Sequence, residues 1–323
     1  MINTQISLLD PVHESLQEVE ALLTAQADET RSTLEMALSR LIGAGGKRIR
    51  PRITLLTGSL LGADHMPLLF LAASIEMLHT ASLIHDDLID GAFLRRGMET
   101  LNTHWSPAAS VLVGDLAFTR SSRLILSTAS LPVIGMFNET MDRMVEGEIT
   151  QLAKTRGATT REEYYAWIKA KTASMFELAS GAAARLSRVD DDVINVARDF
   201  RYEIGMAFQI MDDILDFTGE QTTLGKSVGN DLRQRTITLP ALIYLETHPD
   251  DPDLCNLIHR SPIDKYGVDR LIADIRRSKA IDQSLTVADE FLRNALEALG
   301  YLPQGPERQA LAEIAISMVE RNA

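Results

Sequence analysis

Hydrophobic positions recur along almost the whole chain at the three-to-four-residue interval of an amphipathic helix, and no stretch alternates as a half-buried strand would. Leu16, Val19, Leu22 and Leu23 form one apolar stripe. Leu34, Ala37, Leu38, Leu41 and Ile42 form a second, which Gly43-Ala44-Gly45-Gly46 brings to an end. Pro51 suits the first turn of a helix running to about Leu61. Pro67 opens another, which closes near Asp90, and Gly91 to Thr103 reads as a polar loop. Helices are predicted next over about Pro107–Thr128 and, past Ser130-Leu131-Pro132, to about Lys154. Thr160 with Glu163 three residues on makes a capping box, starting a helix that reaches about Leu186. A long helix follows from about Asp191 to Phe217, then a loop containing glycine and charge over Gly219–Gln234. Shorter helices fill about Leu239–Thr247, Val268–Ser278, Ile281–Leu299 and Pro306–Arg321. The most apolar stretch, Ile53–Leu78, is interrupted by Gly58, Gly62, Asp64, His65 and Pro67, so it reads as two core helices with a turn and no transmembrane segment. Without a linker or a fixed-period repeat, the pattern predicts an all-α, single-domain bundle of long helices.

Composition narrows the function. The 323 residues are 45% hydrophobic and 24% charged, which is globular and ample for a large core. A net charge of -13, with no basic tail or stripe, argues against nucleic acid as a partner and fits a protein that gathers cations. Cys255 is the only cysteine, so an intrachain disulfide is impossible and a reducing cytoplasm is the simplest compartment. Residues Met1 to Glu20 lack a basic region followed by an apolar core, so no signal peptide is expected.

The candidate chemistry lies where two long helices end. Asp86-Asp87-Leu88-Ile89-Asp90 and Asp212-Asp213-Ile214-Leu215-Asp216 both read D-D-x-x-D. A helix C-terminus carries partial negative charge, so three carboxylates there are unfavourable by themselves. Positions i and i+4 share a face and i+1 lies about 100° round, which crowds the charge further. One copy would read as a solvated helix end. Two copies, each beside Lys and Arg, imply divalent cations. The set holds no Cys, and His79 and His85 are six residues apart on different faces, so a hard cation is favoured, with Mg²⁺ completing its shell from ligand phosphate oxygens. Gly45-Gly46-Lys47-Arg48-Ile49-Arg50-Pro51 looks like an anion-binding turn before a helix N-terminus, and Arg95-Arg96 and Lys226 again place cations next to the carboxylates. If the two helices pack side by side, the six carboxylates face one another across a central cavity.

With these residues in view, the chain resembles the trans-isoprenyl diphosphate synthases of the bacterial long-chain polyprenyl type. The matching stretches are GGKRIRP (45–51), LHTASLIHDDLID (78–90), RRG (95–97), VGD (113–115), EGE (146–148), KT (171–172), FQIMDDILD (208–216), LGKSVGNDL (224–232) and TLP (238–240), in the family's order. The resemblance implies the isoprenoid synthase fold and a Mg²⁺-dependent, head-to-tail condensation of isopentenyl diphosphate with an allylic diphosphate. It implies that Asp86, Asp87, Asp90, Asp212, Asp213 and Asp216 hold the metal on the allylic diphosphate, with Arg95, Lys171 and Lys226 touching that group directly. Lys47, Arg50, His79 and Arg96 would bind isopentenyl diphosphate, and Thr172 and Gln209 would line the space where a carbocation forms. Ala81 and Ser82, five and four residues before Asp86, are small where short-chain members place an aromatic floor, which implies a long product. A homodimer, and delivery of the product to a membrane, are further expectations. The chain departs from the family at Gln234-Arg235-Thr236, where E-G-K is common, and at Glu99, where Pro is usual. The rivals are a short-chain (geranylgeranyl or farnesyl) synthase, a non-catalytic subunit of a heteromeric synthase and a class I terpene cyclase. The second full Asp triplet and the basic set Lys47, Arg50 and Arg96 speak against a cyclase, which needs no second diphosphate site.

Overall fold

A computed structural model of the chain describes residues 10–27, 32–95, 98–153, 160–219, 228–258 and 265–320. The contacts gather the chain into two compact units. The first comprises Met1–Thr140, Met175–Phe200 and Glu297–Ile314, and the second Met141–Ser174, Arg201–Leu296 and Ala315–Ala323.

The first unit opens with α1 (His13–Thr24), α2 (Thr33–Gly43) and α3 (Ile49–Leu61). Ser32 caps α2 by accepting a hydrogen bond from the Glu35 N–H. α4 (His65–Ile89) is buried on nearly every side, with Leu71, Ala72, Ala73, Ile75, Met77, Leu78 and Ala81 fully out of solvent. By length and composition α4 could cross a membrane, yet most of its apolar stretch is buried inside the protein. It starts at His65, two residues before Pro67, because a proline in the first turn breaks no hydrogen bond. The sequence stretch expected to be a polar loop holds a small antiparallel hairpin, β1 (Leu94–Arg95) with β2 (Met98–Glu99), pairing Leu94 with Glu99 and Arg95 with Met98. The short α5 (Leu101–His104) follows. α6 (Pro107–Leu126) is capped by Ser106 with Pro107 at its first position, and α7 (Leu131–Ala153) begins in this unit.

In the second unit α8 (Arg161–Ile168) starts at the expected cap, Thr160 accepting from the Glu163 N–H. Where one continuous helix was expected to about Leu186, Lys169–Ala173 forms a π-helical turn before α9 (Ser174–Leu186), which from Met175 is counted with the first unit. α10 (Asp191–Thr218) carries Ile210, Met211, Ile214 and Phe217 into a core shared with Leu239, Leu242 and Ile243 of α12 (Leu239–Thr247) and Leu271, Ile272 and Ile275 of α14 (Lys265–Arg277). Burying each such side chain contributes about 1.5–3 kcal/mol, which anchors the end of α10. The short α11 (Asn230–Arg233) and α13 (Pro252–Ile258) went unpredicted, whereas α12, α15 (Ala280–Gly300) and α16 (Pro306–Val319) lie close to their predicted spans, the last two divided between the units at Glu297 and Ile314.

Candidate active site

Within the first unit, α4 delivers the first Asp motif. Asp86 is half-buried, Asp87 only 9% exposed and Asp90 exposed. The chain leaves the helix through Gly91 at φ 61°, a left-handed conformation that glycine adopts without strain. The Ala92 N–H then reaches the Asp87 carbonyl at 2.9 Å and the Gly91 N–H the Leu88 carbonyl at 3.2 Å, the paired closure that satisfies helix-end carbonyls. Asn102 Nδ2 donates to the same Asp87 carbonyl at 2.7 Å. These donors occupy the carbonyls that would otherwise add negative charge beside the carboxylates.

Behind the motif, α4 and α6 approach closely. The His85 ring rests against Gly114 so tightly that a Cβ there would fall 2.1 Å from Nε2. Further along, Ser74 Oγ donates to the Ser121 carbonyl at 2.9 Å and Ser121 Oγ to the Ser74 carbonyl at 2.8 Å. Ala81 is seven residues from Ser74 and four from His85, which puts it within about 20–40° of both on the α4 surface. It is fully buried on that stripe. Ser82 is half-buried, its hydroxyl donating to the His79 carbonyl at 2.9 Å, and His79 is itself half-buried.

The basic turn is organised by a residue that the sequence reading left without a role. Arg48 caps α3 in a left-handed conformation, φ 45°, and is 7% exposed. Its guanidinium meets Glu20 at 2.5 Å, Glu76 at 2.8 Å and the Ile42 carbonyl at 2.9 Å. Burial works against its charge, but the Glu20 and Glu76 carboxylates outweigh burial and push it above the usual arginine value. So anchored, the turn leaves Lys47 exposed and Arg50 half-buried, with its guanidinium 4.7 Å over the Phe176 ring. The backbone of Arg95 lies in β1, while Arg96 and Lys226 fall outside the described residues.

The second unit holds the second motif, and its three carboxylates have three different settings. Asp212 is exposed. Asp213 is 3% exposed, and its carboxylate accepts from Tyr164 Oη at 2.5 Å and from Gln209 Nε2 at 2.8 Å. Burial raises its pKa well above the usual carboxylate range, and the neighbouring Asp231 charge adds to that, while the two hydrogen bonds oppose it. The Tyr164 phenol is pushed up as well, by burial and then by Asp213. Asp216 is half-buried and accepts from the backbone N–H groups of Asn230 and Asp231, both at 3.1 Å, so it caps α11. The π-helical turn carries Lys171 and Thr172. Thr172 Oγ1 donates to Gln209 Oε1 at 2.7 Å, and Lys171 forms an ion pair with Glu148, the last residue of E-G-E. Glu148 and Tyr164 were both missed as site residues. Tyr164 carries no motif of its own, and only the contact reveals it.

Each motif thus buries its middle Asp and leaves its first and last Asp, at i, i+4 spacing, half-buried or exposed. Among the described residues no three His, Cys, Asp or Glu side chains gather as a metal cluster. Accessible carboxylates, oxygen-only donors, in each motif suit a hard cation that takes its remaining ligands from a bound anion.

Residues 31–275 match the family model for polyprenyl synthetase. The chain is similar to the octaprenyl diphosphate synthase of Haemophilus influenzae, 33% identical over 320 residues, covering 98% of this chain and 95% of that protein. It is 36% identical over 327 residues to the all-trans-nonaprenyl-diphosphate synthase (geranyl-diphosphate specific) of Rhodobacter capsulatus, covering 99% of each. Its fold superposes on the polyprenyl synthase of Caulobacter crescentus complexed with calcium and isoprenyl diphosphate, with a TM-score of 0.90, 34% identity and coverage of 97% of this chain and 96% of that one. The chain belongs to the polyprenyl synthetase family. It is a prenyltransferase with the all-α isoprenoid synthase fold.

Proposed function

We propose that the enzyme condenses isopentenyl diphosphate repeatedly with an allylic diphosphate, giving a long trans-polyprenyl diphosphate. The observation that carries this reading is the duplicated D-D-x-x-D, each copy closing a long helix with its middle Asp buried and an outer Asp exposed. The long-chain names of the similar synthases point the same way.

In this reading the outer carboxylates Asp86, Asp90, Asp212 and Asp216 would hold Mg²⁺, with Asp87 and Asp213 packed behind them. The calcium and isoprenyl diphosphate of the Caulobacter enzyme support a divalent ion of this kind. When bound, Mg²⁺ supplies Lewis-acid stabilisation of a departing diphosphate. Arg95, Lys171 and Lys226 neutralise the same leaving group, and Lys47, Arg50, His79 and Arg96 hold the diphosphate of isopentenyl diphosphate. The allylic C–O bond breaks, the isopentenyl double bond attacks the allylic carbon, and the released diphosphate takes the proton lost from the isopentenyl unit. Thr172 and Gln209 present oxygen atoms to the positive charge that develops between these events. The two units act as parts of one catalytic domain.

Ser82, half-buried beside the fully buried Ala81, sets product length by leaving the space beneath the first motif open. A second copy of the chain completes the enzyme, an assignment supported by the exposed Val111, Leu112, Leu126 and Leu131 on α6 and at the start of α7. The lone Cys255 supports a reducing cytoplasm, from which the apolar product passes to a membrane.

The test is to incubate the purified protein with labelled isopentenyl diphosphate, Mg²⁺ and a series of allylic primers, and to size the products. A ladder ending in a long, linear polyprenyl diphosphate is expected. A product that stops at farnesyl or geranylgeranyl length would establish a short-chain synthase, a cyclic hydrocarbon a terpene cyclase, and no product from any primer a non-catalytic subunit.

A further inference from the structure

Four side chains of the second unit form a continuous polar chain: Tyr164, Asp213, Gln209 and Thr172, joined at 2.5, 2.8 and 2.7 Å. We propose that Asp213 and Tyr164 are positioning residues that fix which way the Gln209 amide points and, through it, the Thr172 hydroxyl, and that Asp213 is not a metal ligand. The proposal rests on the reading above that Thr172 and Gln209 face the reacting carbons.

The orientation follows from donor and acceptor counts. Gln209 turns its Nε2 towards an accepting Asp213 oxygen at 2.8 Å, which leaves its Oε1, an acceptor only, towards Thr172 at 2.7 Å. The Thr172 hydroxyl is then the donor, and its lone pairs become the end left to meet a ligand. Thr172 and Gln209 are both half-buried and so within a ligand's reach. Without Asp213 the two ends of the amide are close to equivalent. A flipped Gln209 would donate to Thr172, turning the hydroxyl proton outward and reversing the local dipole where positive charge develops. Tyr164, fully buried, supplies the second donor that holds the carboxylate in place.

Geometry also separates Asp213 from its neighbour. Asp212 is exposed, whereas Asp213 lies one residue on, about 100° round the helix, and turns into the core. Thr172 meets the chain from a π-helical turn, a local widening of the helix that recurs at functional sites.

The experiment compares Tyr164→Phe, Asp213→Asn, Thr172→Val and the double variant Tyr164→Phe/Thr172→Val in the full-length enzyme with Mg²⁺. A thermal melt of each confirms folding. Tyr164→Phe, which keeps the ring, is expected to lower kcat roughly tenfold, with KM for both diphosphates within about twofold. It is expected to have no further effect once Thr172→Val is present. Calorimetry with an unreactive allylic thiodiphosphate and Mg²⁺ gives the second readout. Asp213→Asn should bind as tightly as the unmodified enzyme, while Asp212→Asn loses about tenfold or more. Equal losses in both would make Asp213 a ligand and overturn the proposal. Additive effects of Tyr164→Phe and Thr172→Val would overturn it too, as would a Tyr164→Phe enzyme of normal kcat beside a slowed Thr172→Val. If Thr172→Val itself keeps normal kcat, the reading that Thr172 faces the reaction falls, and the relay falls with it. Should Asp213→Asn not fold, the cycle built on Tyr164→Phe decides alone.

Discussion

The two Asp motifs share one five-residue pattern and are wired differently. The first sits at the end of a helix buried on nearly every side, with its last carbonyls closed by Gly91, Ala92 and Asn102 and its position fixed by the tight α4–α6 seam. The second belongs to a polar network, where Asp213 answers to Tyr164 and Gln209 and Asp216 caps α11. Both nonetheless bury the middle Asp and leave the outer two more accessible, Asp90 and Asp212 exposed and Asp86 and Asp216 half-buried. The common feature follows from helical geometry alone. The difference lies in what holds each motif: packing in the first unit, hydrogen bonds in the second.

That contrast can be broken or sharpened by substitution. The largest effect is expected from removing an outer carboxylate. Asp86→Ala and Asp212→Ala should each lower turnover about a thousandfold and raise the Mg²⁺ needed for half-activity. Near-normal turnover in either would remove that motif from the chemistry. Next comes the packing that supports the first motif. Gly114→Ala places a methyl group into the His85 ring and should cost about 1–3 kcal/mol in denaturant unfolding. An unchanged midpoint would mean the seam yields, and the first motif is not held by packing. A change of product and not of rate is expected from Ser82→Phe, since Ser82 is half-buried while Ala81 lies fully buried on the stripe facing α6. Its products should be shorter by one or more isoprene units when separated by chromatography, and a product of unchanged length would place Ser82 outside the growing chain's path. The smallest effect concerns the second unit. Arg235 holds φ 62° at the position where the family commonly has Gly. Arg235→Gly should raise stability by about 1 kcal/mol, because the left-handed backbone costs that much with a side chain. A variant no more stable than the parent would show that Arg235 makes compensating contacts.

Much of this was legible in the sequence because it depends on spacing. Helical period, capping residues and the D-D-x-x-D pattern located α4, α6, α10 and α12 and both carboxylate sets. The hairpin at Leu94–Glu99 was missed because two-residue strands are too short to show alternation. The π-helical turn at Lys169–Ala173 was missed because one extra residue leaves the apolar pattern on either side intact. The roles of Arg48, Glu148 and Tyr164 depend on partners far away in sequence, Glu76 and Glu20 for the first, Lys171 for the second and Asp213 for the third. Such pairings exist only once the helices have packed. For the same reason the sequence could assign all three Asp of a motif to one task, whereas burial divides them.

The central claim is that both motifs, however differently held, serve one allylic diphosphate. Calorimetric binding of an unreactive allylic thiodiphosphate, with and without Mg²⁺, in Asp86→Asn and Asp212→Asn side by side tests it most directly. The account predicts that each variant loses the Mg²⁺-dependent part of the affinity, by about tenfold or more, while any metal-independent binding to the basic residues persists. Full Mg²⁺-dependent affinity in either variant would contradict it.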